Sequence, residues 1–287
     1  GAGAGQSYTD NTMTVTGPGS VLTNTGSTGV NMGDTGTTIG SKLLVSNGGR
    51  VVNAAGGIAV GRSAAASNNS VVVTGSGSVL SNAATAYVSQ NGSSNSLAVR
   101  EGGQVFGSTL LFGNSAGCSN NNVTVSDAGS SAQFSGAITV GNTANSQYNS
   151  VIVTNGGTLR SVGGAIGNAS SANSNFVTVT DMGSVWTLGN GVLALGNARG
   201  TGNVLTITQT GMVDNVGYLS VATNNYVNLL GGTLGAAGGT YSNGLFIVGD
   251  GVQSATLKSI AGGTLNITNG LLVTNNATLM ALGTVNG

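Results

Sequence analysis

The sequence has no histidine, one cysteine, one proline and one tryptophan, and only 5% of its 287 residues are charged. Without histidine there is no imidazole to act as a general base or a metal ligand. With Cys118 alone, the chain holds neither an internal disulfide framework nor a cysteine-based metal site, so the thiol reads as a tolerated loop residue. Seven basic residues balance seven acidic ones. The basic set (Lys42, Arg50, Arg62, Arg100, Arg160, Arg199 and Lys258) is scattered along the chain. Nucleic acid is not an expected partner, because phosphate binding needs clustered Lys and Arg. No apolar run approaches the ~20 residues of a spanning helix, and no lipid-facing strands with aromatic girdles are visible, so this segment is not expected to insert in a membrane.

What is present is glycine, serine, threonine, asparagine, alanine and valine, with hydrophobic residues at 39%. A flexible linker would lack the short β-branched runs into which those hydrophobic residues fall. A motif recurs ten times: an apolar alternating strand, a turn with glycine, then a second apolar pair. Examples are MTVTGPGSVL from Met13, VVVTGSGSVL from Val71, VIVTNGGTLR from Val151 and VTVTDMGSVW from Val177. The ninth and tenth units are VNLLGGTLG from Val227 and LKSIAGGTLN from Leu257. The turn glycines are Gly19, Gly49, Gly77, Gly103, Gly129, Gly157, Gly183, Gly211, Gly232 and Gly263, at intervals of 30, 28, 26, 26, 28, 26, 28, 21 and 31 residues. A third apolar segment follows, as in GIAVG (57–61), AITVGN (137–142), LFIVGD (245–250) and LLVTNN (271–276), and then a loop of variable length.

Three short strands per unit, with length variation confined to one loop, predict an all-β fold, a right-handed parallel β-helix of about ten coils. At ~4.8 Å per coil the stack would span roughly 48 Å. Residues 1–12 read as an N-terminal extension or coil-capping segment, and 13–287 as a single repetitive domain. Val15, Val45, Val73, Val99, Val125, Val153, Val179 and Ile207 should form one inward column. Phe106, Phe134 and Trp186 occupy second-strand positions where other coils carry Leu or Val, which predicts core packing for all three. Asp34, Arg62, Asn114, Asn142, Asn168, Asn197 and Asp250 form a column after the third strand in which stacked amides can bond from coil to coil. The loops should tolerate change, so that deleting Ala64–Ala66 would matter little.

Glycoside hydrolysis needs two carboxylates flanking the scissile bond, and elimination from acidic polysaccharide needs a Ca²⁺ cluster with a base. The acidic residues are Asp10, Asp34, Glu101, Asp127, Asp181, Asp214 and Asp250. Glu101 and Asp127 fall at equivalent turns of adjacent coils and are the one candidate pair, with solvated turn carboxylates the plainer reading. Serine has no partner base for a nucleophilic triad. The expectation is that the chain is not an enzyme and carries no catalytic, metal or cofactor site. The twelve aromatics leave room for a weak glycan-binding surface.

The units T-x-x-G-S-V-L, N-G-G-T-L-x-x and V-G-N, and the segment GGTLNITNGLLVTNNATLMALGTVNG (262–287), resemble the passenger regions of bacterial autotransporters and their passenger-associated strand repeats. The resemblance covers nearly the whole chain, through motifs of low complexity. It implies export to a bacterial surface or the medium and a β-helical stalk held by a separate anchor. The expectation is an extracellular structural segment, a stalk, fibre or surface layer, with an adhesin or glycan-binding module as the alternative. The chain reads as a processed or partial product of a longer precursor. Its ends, GAGAGQSYTDNT and ATLMALGTVNG, carry no polar cap, which predicts homo-oligomers by end-to-end stacking of coils, with extracellular polysaccharide a further partner.

Overall fold

The computed structural model describes residues 7–287 except Thr28 and Thr35. Residues 1–6 of the expected N-terminal extension lie outside the described residues. Ser7–Thr9 is a strand that pairs in parallel with Thr37–Ile39.

The chain forms three parallel sheets of eleven strands each, and every coil contributes one strand to each sheet. Coil 5, for example, runs Asn122–Ser126 in sheet 1, Ser131–Phe134 in sheet 2 and Ile138–Val140 in sheet 3. This is the parallel β-helix that the repeat predicts. The chain alternates apolar and polar residues on the first strand of each unit, and a period of two sends every second side chain to one face. That face is the bore. Val15, Val45, Val73, Val99, Val125, Val153, Val179 and Ile207 are register partners from strand to strand along sheet 1. All eight are buried, and from Val45 onward the exposure is zero. Sheet 2 adds Val51, Leu80, Val105, Ala132, Leu159, Trp186 and Val213, while sheet 3 adds Ile58, Val88, Leu110, Ile138, Ile166, Leu193 and Leu219.

The corner between sheets 1 and 2 uses two turn types in strict alternation. In coils 1, 3, 5 and 7 positive φ falls on the first and third turn residues, as at Asp127 and Gly129 or Asp181 and Gly183. In coils 2, 4, 6 and 8 it falls on two consecutive residues, as at Glu101 and Gly102 or Asn155 and Gly156. In the even coils the following glycine is fixed by crowding: a Cβ on Gly157 would lie 2.4 Å from the Val125 carbonyl oxygen of the coil before. The two types interlock. The Gly48, Gly102 and Gly156 amides donate to the hydroxyls of Ser78, Ser130 and Ser184 on the next coil, at 3.0, 2.9 and 3.0 Å. The structural repeat is therefore a pair of coils.

The ninth unit, VNLLGGTLG, still runs from sheet 1 into sheet 2, but the phase of the repeat then changes, and the tenth unit and the third segments of the last two units are placed differently from expectation. Coil 9 is Tyr226–Leu229, Gly232–Ala236 and Gly239–Tyr241, with connections so short that Gly232 stands inside a strand. Leu257 belongs to sheet 2, where it pairs with Leu234 and not with Val227. Gly262 and Gly263 consequently turn the chain from sheet 2 to sheet 3. Phe246–Val248 and Leu271–Val273, expected as third strands, are the sheet 1 strands of coils 10 and 11. A glycine turn relieves backbone strain at any corner of the coil, so the motif marks a corner without saying which one.

The variable loop is also more ordered than its composition suggests. Ala66, Cys118, Ser146 and Ala172 are fully buried where it crosses from sheet 3 to sheet 1. The Ala66 carbonyl accepts from the Ser93 amide at 3.3 Å, so deletion of Ala64–Ala66 removes a packed support and not a slack tip. Cys118 is a small core residue of this corner, its Sγ 3.7 Å from the Gln90 carbonyl oxygen.

Candidate functional site

Glu101 and Asp127 do meet on adjacent coils, through the turn backbone. The Glu101 amide donates to the Asp127 carboxylate at 3.2 Å, and the Ser126 hydroxyl donates to the same oxygen at 3.1 Å. The Glu101 carboxylate accepts from the Thr74 hydroxyl at 2.8 Å. Asp181 repeats the arrangement two coils on, accepting from the Asn155 amide at 3.2 Å and from the Thr154 hydroxyl. The Thr154 bond, with help from the Asn155 amide and the Thr180 hydroxyl, holds the Asp181 carboxyl below its ordinary value. These carboxylates close the interlocked turns; their acceptor capacity is directed at amides and hydroxyls of the preceding coil. Asp250 closes a turn of its own, accepting from the Val252 and Gln253 amides at 2.8 Å each, and these bonds depress its pKa. Among the described residues no three His, Cys, Asp or Glu side chains gather as a metal-binding set.

Asparagine does ladder from coil to coil, but the buried ladder is not the predicted column. It consists of Asn69, Asn95, Asn121, Asn149, Asn175, Asn203 and Asn225, each just before a sheet 1 strand and each 0–1% exposed. Each of the first six donates its Nδ2 to the Oδ1 of the next, as Asn121 does to Asn149 at 2.8 Å and Asn203 to Asn225 at 2.9 Å. The same Oδ1 accepts the backbone amide of the preceding asparagine, as from Asn121 at 3.1 Å. A buried amide needs this pairing, because leaving it unsatisfied costs ~1–3 kcal/mol. The signal was legible: an asparagine one or two residues before each valine run. The predicted column is a looser, outer one. Asn168 bonds to Asn142 at 3.3 Å and Asn197 to Asn168 at 3.0 Å, and Arg62 pairs with Asp34.

Phe134 and Trp186 are in the core as expected, the latter donating its indole N–H to the Ser161 hydroxyl at 3.0 Å. Phe106 is not. Val105 takes the inward position, and Phe106 is a half-buried side chain on the outer face of sheet 2. There it begins a row in which Phe106 is partnered with Gln133, Gln133 with Arg160, Arg160 with Thr187, and Thr187 with Asp214. A cleft of about 460 Å³ runs along this row, walled at the sheet 2 to sheet 3 corner by Ser135, Val162, Gly189 and Asn215. Its floor is fixed by the core: a Cβ on Gly107 would lie 2.9 Å from the Phe134 ring.

A second cleft, of about 510 Å³, lies on the outer face of sheet 1 in coils 9 to 11 and is largely apolar, with Tyr226, Leu245, Ile247 and Leu272 exposed. Here the strands of coils 9 and 10 are in register only at Leu229 and Val248. Behind it Tyr241 packs edge-on against Phe246 with ring centroids 4.7 Å apart, and burial pushes the Tyr241 phenol up.

No protein-family model matches the chain, and no curated protein matches it. Among solved structures, the crystal structure of a TibC-catalysed, hyper-glycosylated TibA fragment is similar at 16% identity and a TM-score of 0.33, over 98% of this chain and 99% of that one. The β-helix assignment rests on the strand pairing described above and not on this likeness.

Proposed function

We propose that the chain is an extracellular structural segment of a bacterial surface or secreted protein, a non-catalytic β-helical stalk, fibre or layer element of the autotransporter-passenger kind. The observation that carries this reading is the unbroken ladder from Asn69 to Asn225. Together with the turn carboxylates it commits the polar side chains to bonds between coils, which makes a stiff rod whose loops and outer rows are left for display. The location follows from the passenger-like motifs of the sequence. End-to-end stacking is part of the proposal. Such a contact is heterologous and propagates if it does not close.

Two measurements test this. Electron microscopy of the purified chain is expected to show straight rods and, at high concentration, fibres with an axial repeat of roughly 50 Å. The chain is expected to release no reducing ends or unsaturated products from neutral or acidic polysaccharides. Turnover abolished by Glu101→Gln or Asp127→Asn would overturn the structural reading, and strictly single rods at every concentration would overturn the stacking. A second reading, a glycan-binding adhesin surface, is favoured by the outward Phe106 and its cleft.

A further inference from the structure

The cleft on sheet 2 is chemically unlike the rest of the surface. Five side chains of different kinds stand in one register line: the Phe106 ring, the Gln133 amide, the Arg160 guanidinium, the Thr187 hydroxyl and the Asp214 carboxylate. Arg160 is exposed, and among the described residues its guanidinium has no hydrogen-bond or ion-pair partner. An arginine offers a planar fork of donors matched to a carboxylate, and a free one beside uncharged hydrogen-bonding neighbours is complementary to an anion. Asp214 is engaged differently: its Oδ1 accepts the Asn215 amide at 2.7 Å and lies over Gly235, where a Cβ would come within 2.3 Å of it.

The spacing orders these groups. Phe106 and Asp214 each lie two rungs from Arg160 on opposite sides, roughly 10 Å at the parallel strand spacing. An anionic chain is repelled on the Asp214 side, so it runs from Arg160 toward Phe106. Along that path it meets an amide, the hydroxyl of Ser135 on the wall and an aromatic face. Hydrogen-bonding groups at each step and a flat apolar platform at one end describe a sugar ring with hydroxyl edges and a C–H face. The floor cannot collapse, because the core side chains Phe134 and Trp186 hold it from within.

We propose that this row binds an acidic oligosaccharide, with a uronate carboxylate on Arg160, sugar hydroxyls on Gln133 and Ser135, and a neighbouring ring stacked on Phe106. This deepens the glycan-binding reading, and its failure leaves the rod and its stacking untouched, since those are read by microscopy. The test is titration calorimetry of the whole chain with oligogalacturonate of about ten residues, with cellohexaose and poly-glutamate of similar length as controls. Saturable binding of the uronate is expected, with none to cellohexaose, and with poly-glutamate weaker by tenfold or more, on the order of one decade of Kd. Arg160→Gln and Phe106→Ala, both outward and neutral to the core, are each expected to weaken uronate binding roughly tenfold while thermal melts stay unchanged. Arg100→Gln, an exposed arginine at a turn away from the cleft, should leave it unaltered. Absence of uronate binding, equal binding of poly-glutamate, or equal loss in Arg100→Gln and Arg160→Gln would each overturn the site.

Discussion

Coils 3 to 8 and coils 9 to 11 share three sheets and one bore but differ in what ties each coil to the next. In the first region buried amides bond directly from one asparagine to another, and turns of two kinds interlock in pairs. In the second the amide ladder ends at Asn225. It is continued only by Asn243 donating to the Asn225 carbonyl at 2.8 Å and by Asn269 donating to the Asn243 carbonyl. The turn role of Asp127 and Asp181 passes to Gln253, which reaches across from coil 10 to accept the Gln209 amide at 2.9 Å. The bore alone makes a β-helix. The ladders fix its phase, and where they stop, coil length and corner assignment are free to drift.

The comparison breaks most sharply at the bore. Val125→Asp places an unpaired charge at a fully buried position and is expected to cost more than ~4 kcal/mol, enough to prevent folding, whereas Leu272→Asp on the exposed rung should stay within ~0.5 kcal/mol. Denaturant melts of the two variants check this. Next is the ladder. Asn149→Ala strands the Asn121 amide groups and is expected to cost about 2–3 kcal/mol, whereas Asn197→Ala in the outer column should cost under ~1 kcal/mol. Equal losses would mean that the buried ladder has no special part.

The turns give a smaller contrast. Gly157→Ala drives a methyl against the Val125 carbonyl and is expected to cost about 3 kcal/mol, while Gly183→Ala, with room but φ of 82°, should cost ~1–2 kcal/mol. The smallest effect is electrostatic. The Asp181 pKa is lowered in the folded protein from 3.8, so its contribution is present above that value and is lost as pH falls through the folded pKa. Because the carboxylate is largely solvated, the effect is modest. Asp181→Asn should lower stability above the ordinary carboxylate range and flatten the acid limb of the stability profile, with the difference from wild type shrinking as pH falls through the lowered folded pKa.

The bore was readable because β-branched residues at alternate positions admit one inward face, and the Val15 to Ile207 column follows from it residue by residue. Phe106 was misplaced because Val105 and Phe106 are adjacent and both apolar; a strand can bury only one of them, and composition does not say which. The last coils were misphased because GGTL occurs at 231–234, where the chain passes from sheet 1 to sheet 2, and at 262–265, where it passes from sheet 2 to sheet 3, with the same local chemistry at each. The asparagines before each first strand carry the phase more reliably than the glycines, since they recur from Asn69 to Asn225, whereas the buried amides at the sheet 2 to sheet 3 corner are those of Asn53 and Asn82 in coils 2 and 3. The cleft was out of reach of the sequence, because Phe106, Arg160 and Asp214 become neighbours only once the register is known.

Register is therefore the claim to test, and cross-linking in a Cys118→Ser background tests it directly. Register neighbours on parallel strands have Cα atoms within the 4.4–6.8 Å that a disulfide spans. Under mild oxidation, Thr124→Cys with Ile152→Cys in the regular region and Thr233→Cys with Thr256→Cys across the phase change should both form intramolecular disulfides, read by mass spectrometry. Failure of the second pair, with closure instead between Asn228→Cys and Lys258→Cys, would contradict the phase change and restore the simple repeat; failure of the first would contradict the β-helix itself.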